Sequence, residues 1–187
     1  MNVKEAIELR RAYRSLEPIE VSDELLRVLY HSASLAPTCF NNQPTRFVFV
    51  RAKDALEKVK SALYPGNAWA KSASLIVAVF SRAQDACLVE EREYYLYDAG
   101  TETAFLILRA TELGLVAHPI AGYNEAKVKE ALGIPPEYRV ITLVIIGKKS
   151  ETINPVLSEK QIEAEKARPV RKPFEESAFI DRFQGKA

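Results

Sequence analysis

The stretch SLIVAVFS at residues 74–81 is apolar at every position between its two serines. An unbroken run of this kind reads as a strand buried on both faces, because a half-exposed strand alternates apolar and polar side chains. VITLVIIG at residues 140–147 is the strongest strand signal, RFVFV at 46–50 is a third, and residues 115–120 form a shorter extended segment. Helical patterns surround them. Residues 3–12 read as a short amphipathic helix. Ser22 is a good N-cap, with Asp23 and Glu24 in the first turn, where carboxylates suit the positive helix end. Leu25, Leu26, Leu29, Ala33 and Ala36 then share a face until Pro37. Residues 55–63 place Leu56, Val59 and Leu63 together. A long helix is expected over about residues 87–113, polar and tyrosine-rich at first, apolar on all sides from Ala104 to Leu108, and stopped at Gly114. Asn124 opens a further helix that ends near Gly133, and Pro135 and Pro136 mark a turn. The class is α+β, with helices dominant.

A chain of 187 residues suits one domain with a real core. Its formal net charge of +1 argues against nucleic acid as the main partner. No apolar run approaches the roughly 18 residues of a membrane span. Lys4, Glu5, Glu8, Arg10 and Arg11 leave no apolar signal core at the start. The two cysteines, Cys39 and Cys87, give no disulfide framework. Together with His31 and His118 they give no metal-type spacing, so no metal is expected. These features point to a reducing, cytoplasmic setting. Residues 1–149 read as the core and 150–187 as a tail, with Pro155, Pro169, Pro173 and many charges. Such a tail rarely packs on its own globule alone; it is expected to be disordered or to wrap a partner subunit.

Specific chemistry gathers in two segments, RRAYR (residues 10–14) and APTCFNNQPTRF (residues 36–47). Arg10 and Arg14 stand four apart and share a face if the opening helix runs through both. Arginine meets a phosphate with a planar fork of donors. Plainer readings stand beside this one. Arginines at a helix end also favour the negative terminus. Asn41, Asn42 and Gln43 are ordinary loop residues, and Cys39 can be an inert small residue. Asp98 and Glu102, four apart on the long helix, suit a structural role with Arg109 or a tail lysine as partner. His118 reads as a packed or capping residue.

In order along the chain, RRAYR, APTCFNNQP, YDAGTETAFLILRATELGL (residues 97–115), PIAG (119–122) and RKPFEE (171–176) resemble motifs of the FMN-dependent nitroreductase family. The resemblance implies a nitroreductase-like fold: a central mixed or antiparallel sheet flanked by helices, in a homodimer whose tails extend onto the partner subunit. It implies FMN, with NADH or NADPH as reductant. Arg10 and Arg171 would hold the phosphate, with Arg11, Ala12 and Tyr13 alongside and Arg14 near the pyrimidine end of the ring. Pro37, Thr38, Cys39 and Asn41 would close over the ring from the second subunit. Pro119, Ile120, Ala121 and Gly122 would pass the ring with a backbone amide at N5, and Asn67 would reach it. Tyr94, Tyr95 and Tyr97 would wall a substrate pocket. The implied reaction is ping-pong hydride transfer to small planar acceptors such as nitroaromatics or quinones, with no catalytic side chain required. Ala12 stands where the family has Ser, Thr45 where it has Trp, and Ala121 where it often has Glu. The stretch 82–93 is short where larger members carry an insertion. These departures leave open reductive dehalogenation, flavin cleavage, or a non-catalytic FMN-binding dimer.

Overall fold

Helix α1 (Val3–Leu9) opens the chain and is closed reciprocally at its start: the Glu5 N–H donates to the Asn2 side chain, and the Asn2 N–H donates to the Glu5 carboxylate. There follow β1 (Leu16–Glu17), α2 (Asp23–Ser34), β2 (Arg46–Val50), α3 (Lys53–Ser61), β3 (Leu75–Ser81), α4 (Tyr94–Glu112), β4 (Val116–Ile120), α5 (Glu125–Leu132), β5 (Arg139–Lys149), α6 (Glu159–Lys166) and α7 (Phe174–Ser177). The structure, a computed structural model, describes residues 1–185, so the last two residues of the expected tail, 186 and 187, lie outside it. No helix of the described residues is long and apolar enough to cross a membrane.

Every strand pairing is antiparallel, which selects one of the two sheet types expected. β5 is the hub. It pairs with β3 along Arg139–Ile146, with β4 along Leu143–Gly147, and with β1 at Lys148 and Lys149; β2 then pairs with β3. Residues of β3 alternate between two cores, as a period of two requires. Leu75, Val77 and Val79 pack with Leu29, Ala33, Ala99 and Leu106 of α2 and α4. Ile76, Ala78 and Phe80 pack on the opposite side with Leu56, Val59, Trp69 and Val128, from α3, α5 and the turn between α3 and β3. The sheet is therefore a middle layer, and all seven β3 residues are buried, as the unbroken run predicts.

The predicted caps of α2 and α5 are present: Ser22 accepts from the Leu25 N–H and Asn124 from the Lys127 N–H. Gly133 ends α5 in the left-handed region, at φ 65°.

Four expectations are corrected. The opening helix stops at Leu9, not residue 12, so Arg10 and Arg14 lie on extended chain and share no helical face. The long helix begins at Tyr94, and its apolar middle is not buried all round, because Ala104 and Phe105 face outward, Phe105 at 41% exposure. Cys39 and Cys87 form a disulfide. Their sequence separation of 48 carries no pattern, yet the fold lays the turn after α2 against the stretch before α4 with Cα atoms 5.9 Å apart, within bridging range. Finally, of the two expected fates of the tail, disorder does not hold for Glu159–Lys166, which form α6 and pack on this chain. A capping box at Ser158 and Gln161 starts α6, and Glu165 on that helix is buried against residues 14 and 15.

Candidate functional site

Three backbone contacts fix the arginine segment after α1. The Arg14 and Ser15 N–H groups both donate to the Glu165 carboxylate, the second at 3.2 Å. The Tyr13 carbonyl lies 3.0 Å from His118 Nδ1 of β4. A carbonyl only accepts, so this contact places the ring proton on Nδ1. The His118 ring stacks on Trp69, with centroids 4.6 Å apart. Burial lowers the His118 pKa to about 4, against a partial rise from the Tyr13 contact, so the ring is neutral near pH 7. His118 is thus packed, as one reading of the sequence has it, and it ties the arginine segment to the edge strand β4.

The ends of α1 and α6 cap each other. Arg11, just past α1, donates to the Ala164 and Glu165 carbonyls of α6. Arg168, just past α6, donates to the Glu8 and Arg10 carbonyls. For these two residues the plain reading holds: a guanidinium satisfies carbonyls at a negative helix end. Arg11 also lies 4.8 Å over the Tyr13 ring. The crossing brings Arg10, Arg11, Arg14, Arg168 and Arg171 around a small cavity of about 120 Å³, with Ala12 in its wall. Among the described residues, none of the five guanidiniums forms an ion pair. Burial, and then Arg168, Arg171 and Arg11, hold the Arg10 guanidinium below its ordinary range. Five clustered cations, none of them ion-paired among the described residues, have the chemistry to attract a polyanion such as a phosphate monoester.

Beyond His118, β4 leads through Pro119 and Ile120 to Ala121 and Gly122. Pro119 is exposed on this edge strand, where a missing N–H costs nothing. The Gly122 carbonyl accepts from the Tyr64 N–H and from Asn67 Nδ2, both at 3.0 Å. A Cβ at Gly122 would stand 2.5 Å from Asn67 Nδ2, so the absent side chain makes this approach possible. Ala121 borders a cleft of about 340 Å³ with Tyr95, Glu93, Glu125 and Arg139. Of the three predicted pocket tyrosines, Tyr95 alone lines this cleft and donates to Glu93; Tyr94 and Tyr97 stack on each other instead, with centroids 5.1 Å apart.

The turn at residues 37–43 is held by α4. The Cys39 N–H donates to Asp98 at 3.2 Å, and Thr101 donates to the Pro37 carbonyl. Among the described residues, no hydrogen bond joins this turn to residues 10–14 or 119–122. The structure therefore brings Arg10 to Arg14, Arg171, Asn67 and residues 119–122 into one region of the chain, and sets Pro37, Thr38, Cys39 and Asn41 apart. Asp98 and Glu102 are buried, at 0% and 4% exposure, and burial pushes both carboxyls up. The expected Arg109 partner is not theirs, since Arg109 pairs with Glu112.

Glu165 and Arg168 are the residues shaping this candidate site that the sequence reading misses. Their only signal is local, the capping box that predicts a helix across residue 165; the contact with residue 15 spans 150 positions.

Comparison with known proteins gives the following. The model of the "Nitroreductase family" matches residues 7–148. A Xanthomonas oryzae pv. oryzae protein with a provisional NADH dehydrogenase/NAD(P)H nitroreductase name is 31% identical over 143 residues, covering 65% of this chain and 71% of that protein. A solved structure of an oxidoreductase containing FMN aligns with a TM-score of 0.83 and 30% identity, covering 100% of this chain and 95% of that one. A nitroreductase family protein of Clostridium novyi NT aligns with a TM-score of 0.75 and 25% identity, over 81% and 87% of the two chains.

Two predictions follow from the geometry around β4. As pH falls below 6.5, the unfolded chain protonates its histidine first, while folded His118 stays neutral to about pH 4. Stability therefore drops through that window by on the order of 3 kcal/mol. Asp98 and Glu102, with raised pKa values, oppose this trend, since protonation stabilises their folded forms. The readout is thus the difference in urea stability between wild type and His118→Gln across pH 4–7, with an NMR titration of His118; an NMR midpoint near the ordinary histidine value refutes the assignment. Separately, Gly122→Ala and Asn67→Ala should each destabilise, and their costs should fall short of additive by about 0.5–3 kcal/mol in a double-mutant cycle. Additive costs would show that the two residues do not press on each other.

Proposed function

The chain belongs to the nitroreductase family, and from that premise we propose that it is an FMN-dependent oxidoreductase that draws electrons from NADH or NADPH. The observation that carries this reading is the five-arginine cavity, whose uncompensated charge suits the dianionic phosphate of FMN. Arg10 and Arg171 are the groups assigned to hold it, Arg171 donating among the described residues only to the neighbouring Pro169 carbonyl, while Arg11 and Arg168 are spent on helix carbonyls that keep the cluster in shape. Bound FMN supplies hydride acceptance at N5 and carries two electrons from nicotinamide to acceptor. The chain's own part is to bind and orient. Arg14 would set a positive charge near the pyrimidine end of the ring, where a cation favours the reduced form. Gly122, lacking a side chain, lets backbone approach closely. The neutral His118 holds the Tyr13 carbonyl and offers no competing proton donor to solvent. The cleft beside Ala121, with Tyr95 on its wall, is the site assigned to a small planar acceptor such as a nitroaromatic or a quinone.

The reading includes a homodimer with its flavin sites between subunits. Supporting it is an apolar groove of about 360 Å³ between α1, α2 and α4, lined by Val3, Ala6, Leu35, Phe105 and Leu108. A patch of this kind on a helix that is apolar on its outer face is the mark of a covered surface. Phe174, Ile180 and Phe183 of the tail are exposed as well, and are assigned to contact with the second subunit. That arrangement would bring the partner's copy of the turn at 37–43 to the arginine side. The cytoplasm is the proposed location.

Arg10→Ala should weaken FMN retention by about ten- to a hundredfold, since a hydrogen bond to a charged group contributes roughly 1.5–3 kcal/mol. Flavin absorbance after gel filtration reads this directly, and unchanged retention would place the phosphate elsewhere. Phe105→Asp should shift the elution of the protein from dimer to monomer, because the charge would be buried without a partner. A wild-type protein that elutes as a monomer overturns the dimer.

A further inference from the structure

The turn at residues 38–43 is held in an unfavourable shape. Phe40, Asn41 and Gln43 have φ of 50°, 57° and 48°, in the left-handed region that side chains other than glycine rarely occupy. Apolar packing does not compensate, since Phe40 is 85% exposed. Within the turn, the Asn41 N–H donates to the Thr38 carbonyl, the Asn42 N–H to the Cys39 carbonyl, and the Gln43 N–H to the Thr38 hydroxyl. What fixes the turn to the body of the protein is concentrated at Cys39: its N–H donates to buried Asp98, and its sulfur is bonded to Cys87. Cys87 is buried and sits in an irregular stretch between β3 and α4 that has its own left-handed residue, Glu90, at φ 56°. The chain has no other cysteine.

We propose that Cys39–Cys87 is a thiol–disulfide exchange site for dithiol reductants, and that its oxidised form latches the turn in the shape the cofactor site uses. The latch itself rests on the turn; its effect on FMN rests on the function proposed above. In a reducing compartment a disulfide of this kind is a switch and not a permanent staple. Cys39 is the less buried member of the pair and is the sulfur assigned to the incoming thiolate. That attack forms a mixed disulfide at Cys39, breaks the bond to Cys87 and releases Cys87 as a thiolate, which takes a proton. The second thiol of the reductant, as thiolate, then attacks the mixed disulfide and releases Cys39, which is protonated in turn. The dithiol is oxidised by two electrons, the protein disulfide is reduced to two thiols, and the two protons given up by the dithiol are matched by the two taken up. Asp98 is placed to hold a proton beside Cys39: Oδ1 accepts from the Cys39 N–H, and Oδ2 is buried with no hydrogen-bond partner among the described residues. With the bond broken, the left-handed residues relax and the turn loses its shape.

The experiment uses the full-length protein in the oxidised state and after treatment with dithiothreitol. Thiol titration should count none in the first and two in the second. Amide hydrogen exchange of peptides covering residues 38–43 should be about tenfold faster after reduction. FMN affinity should fall by about tenfold, and bound FMN should shift the thiol–disulfide equilibrium toward the disulfide by the same factor, because coupling between two equilibria is reciprocal. Cys87→Ser should match the reduced protein and be indifferent to dithiothreitol; reduced wild type gives the same comparison if that variant misfolds. Unchanged exchange at residues 38–43 overturns the latch, as do free thiols in protein treated with an oxidant. Faster exchange with equal FMN affinity overturns its link to the cofactor. If the oxidised protein binds no FMN, the function proposed above fails, while the exchange comparison still decides the latch.

Discussion

Guanidinium groups repel one another, and this fold gathers five of them around one small cavity. Such a cluster persists only if something other than the side chains holds the chain that carries it. Here that is backbone hydrogen bonding: Glu165 takes two N–H groups of the arginine segment, His118 takes the Tyr13 carbonyl, and two arginines are turned into helix caps. The buried Glu165 carboxylate is spent on backbone donors and ion-pairs with none of the five guanidiniums among the described residues, so they stay available to an anion. The rest of the architecture serves this arrangement. β5 pairs with β1 just after the segment and with β4 just beside it, and so both walls of the site hang on one central strand.

The other polar concentration lies on the far side of the sheet. α4 carries Asp98 and Glu102 on its core-facing stripe, with Asp98 Oδ2, Glu102 Oε2 and the nearby Thr45 hydroxyl lacking partners among the described residues. Carboxyls in such surroundings favour the neutral form, which removes most of the desolvation cost. One of them anchors the turn after α2, so a polar residue in the core here positions a loop in place of contributing to packing.

Much of the fold is legible in the sequence because its signals are local. The unbroken run of β3, the Ser22 and Asn124 caps and the Gly133 stop each depend on a few neighbouring residues, and each appears where its pattern predicts. Of the candidate site, the sequence offers the segments that stand as whole motifs, RRAYR and PIAG. It fails where partners are distant. Nothing near Cys39 announces Cys87, and nothing near Ser15 announces Glu165. The helix over residues 10–12 fails for a different reason: the helical spacing of Arg10 and Arg14 is real in sequence, but the contacts to Glu165 and His118 reward an extended chain there. The tail's packing on its own chain is hidden in the sequence, because its low apolar content masks one buried carboxylate, Glu165, and one capping arginine, Arg168.

The bond between Ser15 and Glu165 spans 150 residues, and that distance governs when the site can exist. During synthesis the arginine segment leaves the ribosome about 150 residues before its clamp. Contacts so far apart in sequence form late, after the sheet has supplied a surface to close upon. Until then the arginines are solvated on loose chain, with no cavity among them. Anion binding among these arginines thus waits on residue 165.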